Sequence, residues 1–143
     1  MSVSHDAGKT WTYSATPFPS VSWAQRPVLR MLREGALMAV SFTPPAPFVD
    51  ADGHTFMSAG KAALFVALSK DGGKTWPVMK LLTDGKPRKI TTPTGEHSAV
   101  IDATHTEDHG YMSAAQTPDG MIHLISSGLY YRFNYAWINE PNR

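Results

Sequence analysis

Few side chains in this sequence can do chemistry, and most of them sit in short stretches. The segment "DATHTEDHG" (102–110) holds His105 and His109 beside Glu107 and Asp108. Two histidines four apart face one metal ion only when they ride on a helix. Nothing here reads as a helix, so the segment is expected to be a solvated loop and no metal site is assigned. Its place directly before Tyr111 makes Glu107 and Asp108 candidate substrate contacts. The segment "FVDADGH" (48–54) has half of a calcium loop and lacks the remaining ligands. The segment "YYRFNYAW" (130–137) is rich in aromatics, with Tyr130 and Arg132 at the start of an expected strand. Packing competes with ligand contact as their role. There is no cysteine, which excludes disulfides, thiol catalysis and thiolate metal sites. No cofactor is implied.

These residues must be positioned by strands. The chain has 143 residues, suiting one domain. Its 42% hydrophobic content is enough for a core. A net charge of +1, with 17% charged residues, speaks against a nucleic-acid protein, which would carry a basic patch. No apolar run reaches membrane-spanning length; the longest, 62–68, is strand-sized. Pro and Gly number 11 each and punctuate short apolar runs. Strands are expected at 12–14, 28–33, 36–42, 62–69, 78–82, 111–117, 121–126 and 130–138. Glu34-Gly35 and Pro118-Asp119-Gly120 read as hairpin turns. The fold class is therefore all-β.

Two repeats organise the strands. The octets "SHDAGKTW" (4–11) and "SKDGGKTW" (69–76) share S-x-D-x-G-x-T-W. A second repeat appears when Gly35 is laid over Gly120: "RPVLRMLREGALMAV" (26–40) matches "YMSAAQTPDGMIHLI" (111–125) without a gap. The unit runs strand, tight turn, strand, long loop, strand, octet, strand. A repeated four-stranded antiparallel unit points to a β-propeller. Long loops at 43–60 and 83–110 stretch the period to 85 residues, counted from Arg26 to Tyr111. The expected division is a blade tail at 1–20, a blade at 26–82 and an incomplete last blade at 110–140. Propellers close with at least four blades. The chain is thus expected to be part of a larger ring or to self-associate. Its polar start runs straight into the first octet without a leader-like segment.

Within each octet, Asp6 and Asp71 are suited to accept bonds from turn N–H groups, with Ser4 and Ser69 opening the motif. Gly8 and Gly73 permit the reversed backbone, and Trp11 and Trp76 are expected to bury apolar area between strands. Turns alternate between the two ends of a meander. Taking the octet end as the bottom leaves Arg26, Lys61, Tyr111 and the turn 127–129 at the top. The repeat puts Arg26 and Tyr111 at equivalent places. Ligands generally bind at one mouth of such a fold.

The octets resemble the Asp-box (BNR repeat) of the sialidase, or neuraminidase, superfamily of β-propellers. The resemblance extends to "GYMSAAQTPDGMIHLISS" (110–127), where sialidases open the last blade with a Tyr ahead of a P-D-G turn. It implies that Tyr111 is the nucleophile of a retaining glycoside hydrolase that releases a terminal acidic sugar from a glycan. A phenol needs a base to act so, and the family supplies a Glu. The family also grips the sugar carboxylate with three arginines, whose planar forks suit a carboxylate. The third lies eight residues before an Asp-box Ser, which here is Lys61. Arg26 offers a guanidinium on the same face. Ser127 stands where sialidases carry a Glu. The acid, the base and the first arginine belong to earlier blades in the family. The resemblance implies a secreted or periplasmic location and a glycan partner. The rival expectation is a non-catalytic carbohydrate-binding or structural Asp-box propeller.

Overall fold

The computed structural model describes residues 1–21, 25–43, 47–49, 55–57, 63–83, 86–91, 98–102 and 110–140. Two strands, β1 (Ser2–Val3) and β2 (Thr12–Tyr13), pair antiparallel across the first octet. After β3 (Gln25–Arg26) comes β4 (Val28–Met31), which turns through residues 32–36 into β5 (Leu37–Phe42). A short hairpin of β6 (Pro47–Val49) and β7 (Thr55–Met57) separates β5 from β8 (Leu64–Ser69). The second octet joins β8 to β9 (Val78–Leu81). Strands β4, β5, β8 and β9 form one antiparallel sheet in that order.

A further hairpin, β10 (Arg88–Thr91) with β11 (Ser98–Ile101), precedes β12 (Gly110–Tyr111). Then β13 (Ser113–Gln116), β14 (Met121–Ile125) and β15 (Tyr130–Asn134) make a three-stranded antiparallel sheet. The described residues end in one short helix, α1 (Tyr135–Asn139). Among the described residues the fold is all-β but for that helix. Among the described residues, no helix is long and apolar enough to cross a membrane.

The core lies between the four-stranded and three-stranded sheets. Met38, Val40 and Phe42 of β5 and Leu64, Val66 and Leu68 of β8 join Ala114, Ile122, Leu124, Phe133 and Ile138 in one buried cluster. These side chains recur every second residue, as a strand requires. The intervening residues of β8 face the other way and are buried too. There Phe18 packs on Phe65 at 5.6 Å and edge-on to Trp76 at 4.8 Å. A strand covered on both faces reads as an unbroken apolar run, which is why "LFVAL" shows no alternation.

Three expectations are corrected. The strand expected over 130–138 stops at Asn134, whose side chain accepts the Trp137 N–H at 2.8 Å and caps α1. The helix then packs beside the second octet, with Lys70 Nζ 6.0 Å from the Tyr135 ring. The long loops are not wholly irregular: each contains an antiparallel hairpin. The strand expected over 28–33 gives way to the turn after Met31, where the Leu32 N–H donates to Ala36 O at 2.8 Å.

Candidate functional site

The two octets fold alike. Thr10 N–H and Thr10 Oγ1 both donate to Asp6, at 2.9 and 2.6 Å, and Ser4 Oγ donates to it at 2.8 Å. Thr75 and Ser69 repeat this around Asp71 at 2.9, 2.6 and 2.7 Å. Gly8 and Gly73 donate their N–H groups back to the opening serine at 2.7 and 2.8 Å. Their φ values of 86° and 92° lie where a side chain is strained. The indole N–H of Trp11 and of Trp76 closes each turn on the Gly carbonyl at 3.1 Å.

The hydroxyl and amide donors hold the Asp6 carboxyl down at about 2 and push that of Asp71 further below the ordinary 3.8. Each carboxylate is thus occupied by its own turn. One expectation fails here: Trp11 does not bury its ring, which is 51% exposed. Trp76 is half-buried because Phe18 lies against it.

The second octet and the two hairpin turns share one end. Leu37, just past the first turn, pairs with Ser69 at the start of the second octet. The turns of the two sheets are also tied together. Arg33 N–H donates to Gln116 Oε1 at 2.8 Å, Gln116 Nε2 donates to both Glu34 oxygens at 3.2 and 3.0 Å, and the Arg33 guanidinium donates to Pro118 O.

At the opposite end, β3 and β12 pair in parallel, with Gly110 beside Gln25 and Tyr111 beside Arg26. The Arg26 guanidinium lies over the Tyr111 ring, 5.2 Å from its centroid. Tyr111 is 58% exposed, while its backbone N–H donates to Ser127 Oγ at 3.3 Å. Gly110 supports this arrangement from below. A Cβ built on it would stand 1.9 Å from Phe42 Cζ, so the ring occupies the place of a side chain. The repeat reasoning therefore brings Arg26 and Tyr111 together. Lys61, Glu107 and Asp108 lie outside the described residues, as do His105, His109 and most of "FVDADGH". Among the described residues, no group of three or more His, Asp or Glu stands close enough to hold a metal ion.

Tyr130 engages His123, whose Nδ1 lies 2.6 Å from the phenol oxygen. Sequence reasoning passed over His123. Its signal was the alternation "MIHLI", which turns His123 away from buried Ile122 and Leu124, toward its cross-strand neighbours.

A separate cleft of about 870 Å³ opens between β9, β10, β11, β15 and α1. Lys80, Arg88, Arg132 and Trp137 line it, so among the described candidate residues Arg132 alone faces this cleft, away from Arg26 and Tyr111. Lys80 serves the helix there: its Nζ donates to Trp137 O at 2.7 Å and to Glu140 O at 3.4 Å, and sits 4.2 Å from the Trp137 ring centroid. A cation is favourable at the carbonyl end of a helix. No family model, curated protein or solved structure matches the chain.

Proposed function

We propose that the chain is part of an Asp-box β-propeller of the sialidase type, from a glycoside hydrolase that releases a terminal acidic sugar with retention. The four-stranded antiparallel sheet with an octet between its third and fourth strands supports the blade reading. The three-stranded sheet beside it supplies the first strands of a second such unit, and β1–octet–β2 the end of another.

The observation that carries the functional reading is the Arg26–Tyr111 pair, at the end opposite the second octet. A guanidinium there suits the carboxylate of an acidic sugar. The Tyr111 phenol then attacks the anomeric carbon as the glycosidic bond breaks, and water later cleaves the aryl glycoside. A neutral nucleophile avoids repelling the substrate's own carboxylate. In this reading the general acid and base come from further units of the propeller. Ser127, at the position of a family Glu, favours a second reading: a carbohydrate-binding propeller without turnover.

The test is turnover of a fluorogenic α-sialoside by the complete propeller protein that contains this chain, as wild type, Arg26→Ala and Tyr111→Phe, with glycan-array binding in parallel. Turnover lost in Tyr111→Phe is the expected result. An inactive wild type that binds glycans overturns the hydrolase in favour of the second reading.

A further inference from the structure

We infer that Tyr130, His123, Thr117 and Asp119 form a proton relay that makes the Tyr130 phenol a base-activated nucleophile toward activated acyl groups. The β14–β15 register pairs His123 with Arg132 and Ile125 with Tyr130, so Tyr130 lies diagonal to His123 on one sheet face. Thr117 and Asp119 belong to the turn that feeds β14.

With His123 as the neutral imidazole, proton counting gives one consistent set of bond directions. Asp119 is held ionised below the ordinary carboxylate range, chiefly by the Thr117 hydroxyl and then by the Met121 N–H. An ionised carboxylate only accepts, so Thr117 Oγ1 donates its single proton at 2.5 Å to Asp119 Oδ1, shared with Met121 O at 3.1 Å. Thr117 Oγ1 must then accept from His123 Nε2–H, 3.2 Å away. A neutral imidazole with its proton on Nε2 has a bare Nδ1, and Nδ1 lies 2.6 Å from Tyr130 Oη. The phenol therefore donates to a base that is oriented by a hydroxyl and, behind it, by a carboxylate. Nucleophile, base and orienting group in series are the arrangement that activates a weak nucleophile. Tyr130 is 57% exposed as a residue and its contact with His123 lies at the surface, so an electrophile can reach it.

The step balances without redox chemistry. With an aryl ester, Tyr130 Oη bonds to the carbonyl carbon as its proton passes to His123 Nδ1. The aryl–oxygen leaving group then departs and takes that proton, leaving an O-acyl tyrosine that water hydrolyses. This inference rests on hydrogen-bond directions and is independent of the glycosidase reading.

The experiment incubates the protein with p-nitrophenyl acetate, following nitrophenolate release and locating acetyl groups by peptide mass spectrometry with fragmentation. Tyr13, 79% exposed, is the internal reference. General-base assistance is on the order of a hundredfold or more, so Tyr130 is expected to acetylate far faster than Tyr13 despite its lower exposure. His123→Gln and Thr117→Val are expected to bring Tyr130 down toward the Tyr13 rate. Tyr130→Phe removes the nitrophenolate burst. Equal rates at Tyr130 and Tyr13 in the wild type overturn the relay, whatever the variants do. A burst that survives Tyr130→Phe places the nucleophile at another group and also overturns it.

Discussion

Adding one methyl group at Gly110 tests how the Tyr111 site is held. The new Cβ would fall 1.9 Å from Phe42 Cζ, 2.8 Å from Cε1 and 3.0 Å from Cε2. Carbon atoms rest at about 3.5–4.0 Å, so the ring tip must retreat by about 1.6 Å or more. Phe42 is only 2% exposed and sits in the central cluster between the sheets. Either the ring leaves its rotamer or β12 lifts off, breaking the Gly110–Gln25 and Tyr111–Arg26 pairing.

Overpacking of this kind costs about 1–3 kcal/mol. For a chain of this length the unfolding entropy converts that to a fall in Tm of about 3–10 °C. The assay is a thermal melt of Gly110→Ala, Phe42→Leu and the double variant. Shortening the ring tip relieves the clash, so the double variant is expected to be more stable than the sum of the singles by about 0.5–3 kcal/mol. An unchanged Tm in Gly110→Ala, or strict additivity in the double variant, refutes the contact.

The two octets differ in burial, so Trp76→Ala is expected to cost about 2 kcal/mol or more and Trp11→Ala less than about 1 kcal/mol, compared by denaturant unfolding. Asp6, Asp71 and Asp119 all have carboxyls held below their ordinary value, so between that value and the folded one the unfolded chain binds more protons. Their stabilisation is complete above 3.8 and fades as pH falls, for Asp6 through about 2. Acid titration of stability in wild type and in Asp6→Asn plus Asp71→Asn checks this; an unchanged slope below pH 4 contradicts it. Gln116→Leu is expected to cut the link between the two hairpin turns and lower the Tm, since it removes both the acceptor of Arg33 N–H and the donor to Glu34.

The strands were legible where apolar runs ended in turn residues. Gly35 and Gly120 take φ of 78° and 84°, as turns of this kind demand. The backbone N–H bonds to the octet carboxylates were legible because that chemistry is local: every partner of Asp71 lies within four residues, although the Thr75 and Ser69 hydroxyl donors were not foreseen. The Arg26–Tyr111 pairing was legible only through the repeat, since the parallel bridge joins segments 85 residues apart. The helix at 135–139 was missed because "YAWIN" carries strand-forming aromatics, and the Asn134 cap decided against them. The exposure of Trp11 was missed because the motif is the same in both octets, and only packing by Phe18 separates them. The His123–Tyr130 contact needed the hairpin register, which composition does not reveal.

The most direct test of the central claim is covalent trapping at the candidate nucleophile. The complete propeller protein that contains this chain is treated with a fluorinated sialosyl fluoride, which slows release of the glycosyl intermediate, and then digested on the N-terminal side of aspartates. Cleavage at Asp108 and Asp119 isolates Tyr111 in the peptide 108–118, away from Tyr130. The account predicts the mass of one fluorosialyl group on that peptide, located at Tyr111 and absent in Tyr111→Phe. An unmodified 108–118 peptide, with the sugar elsewhere or nowhere, would contradict it.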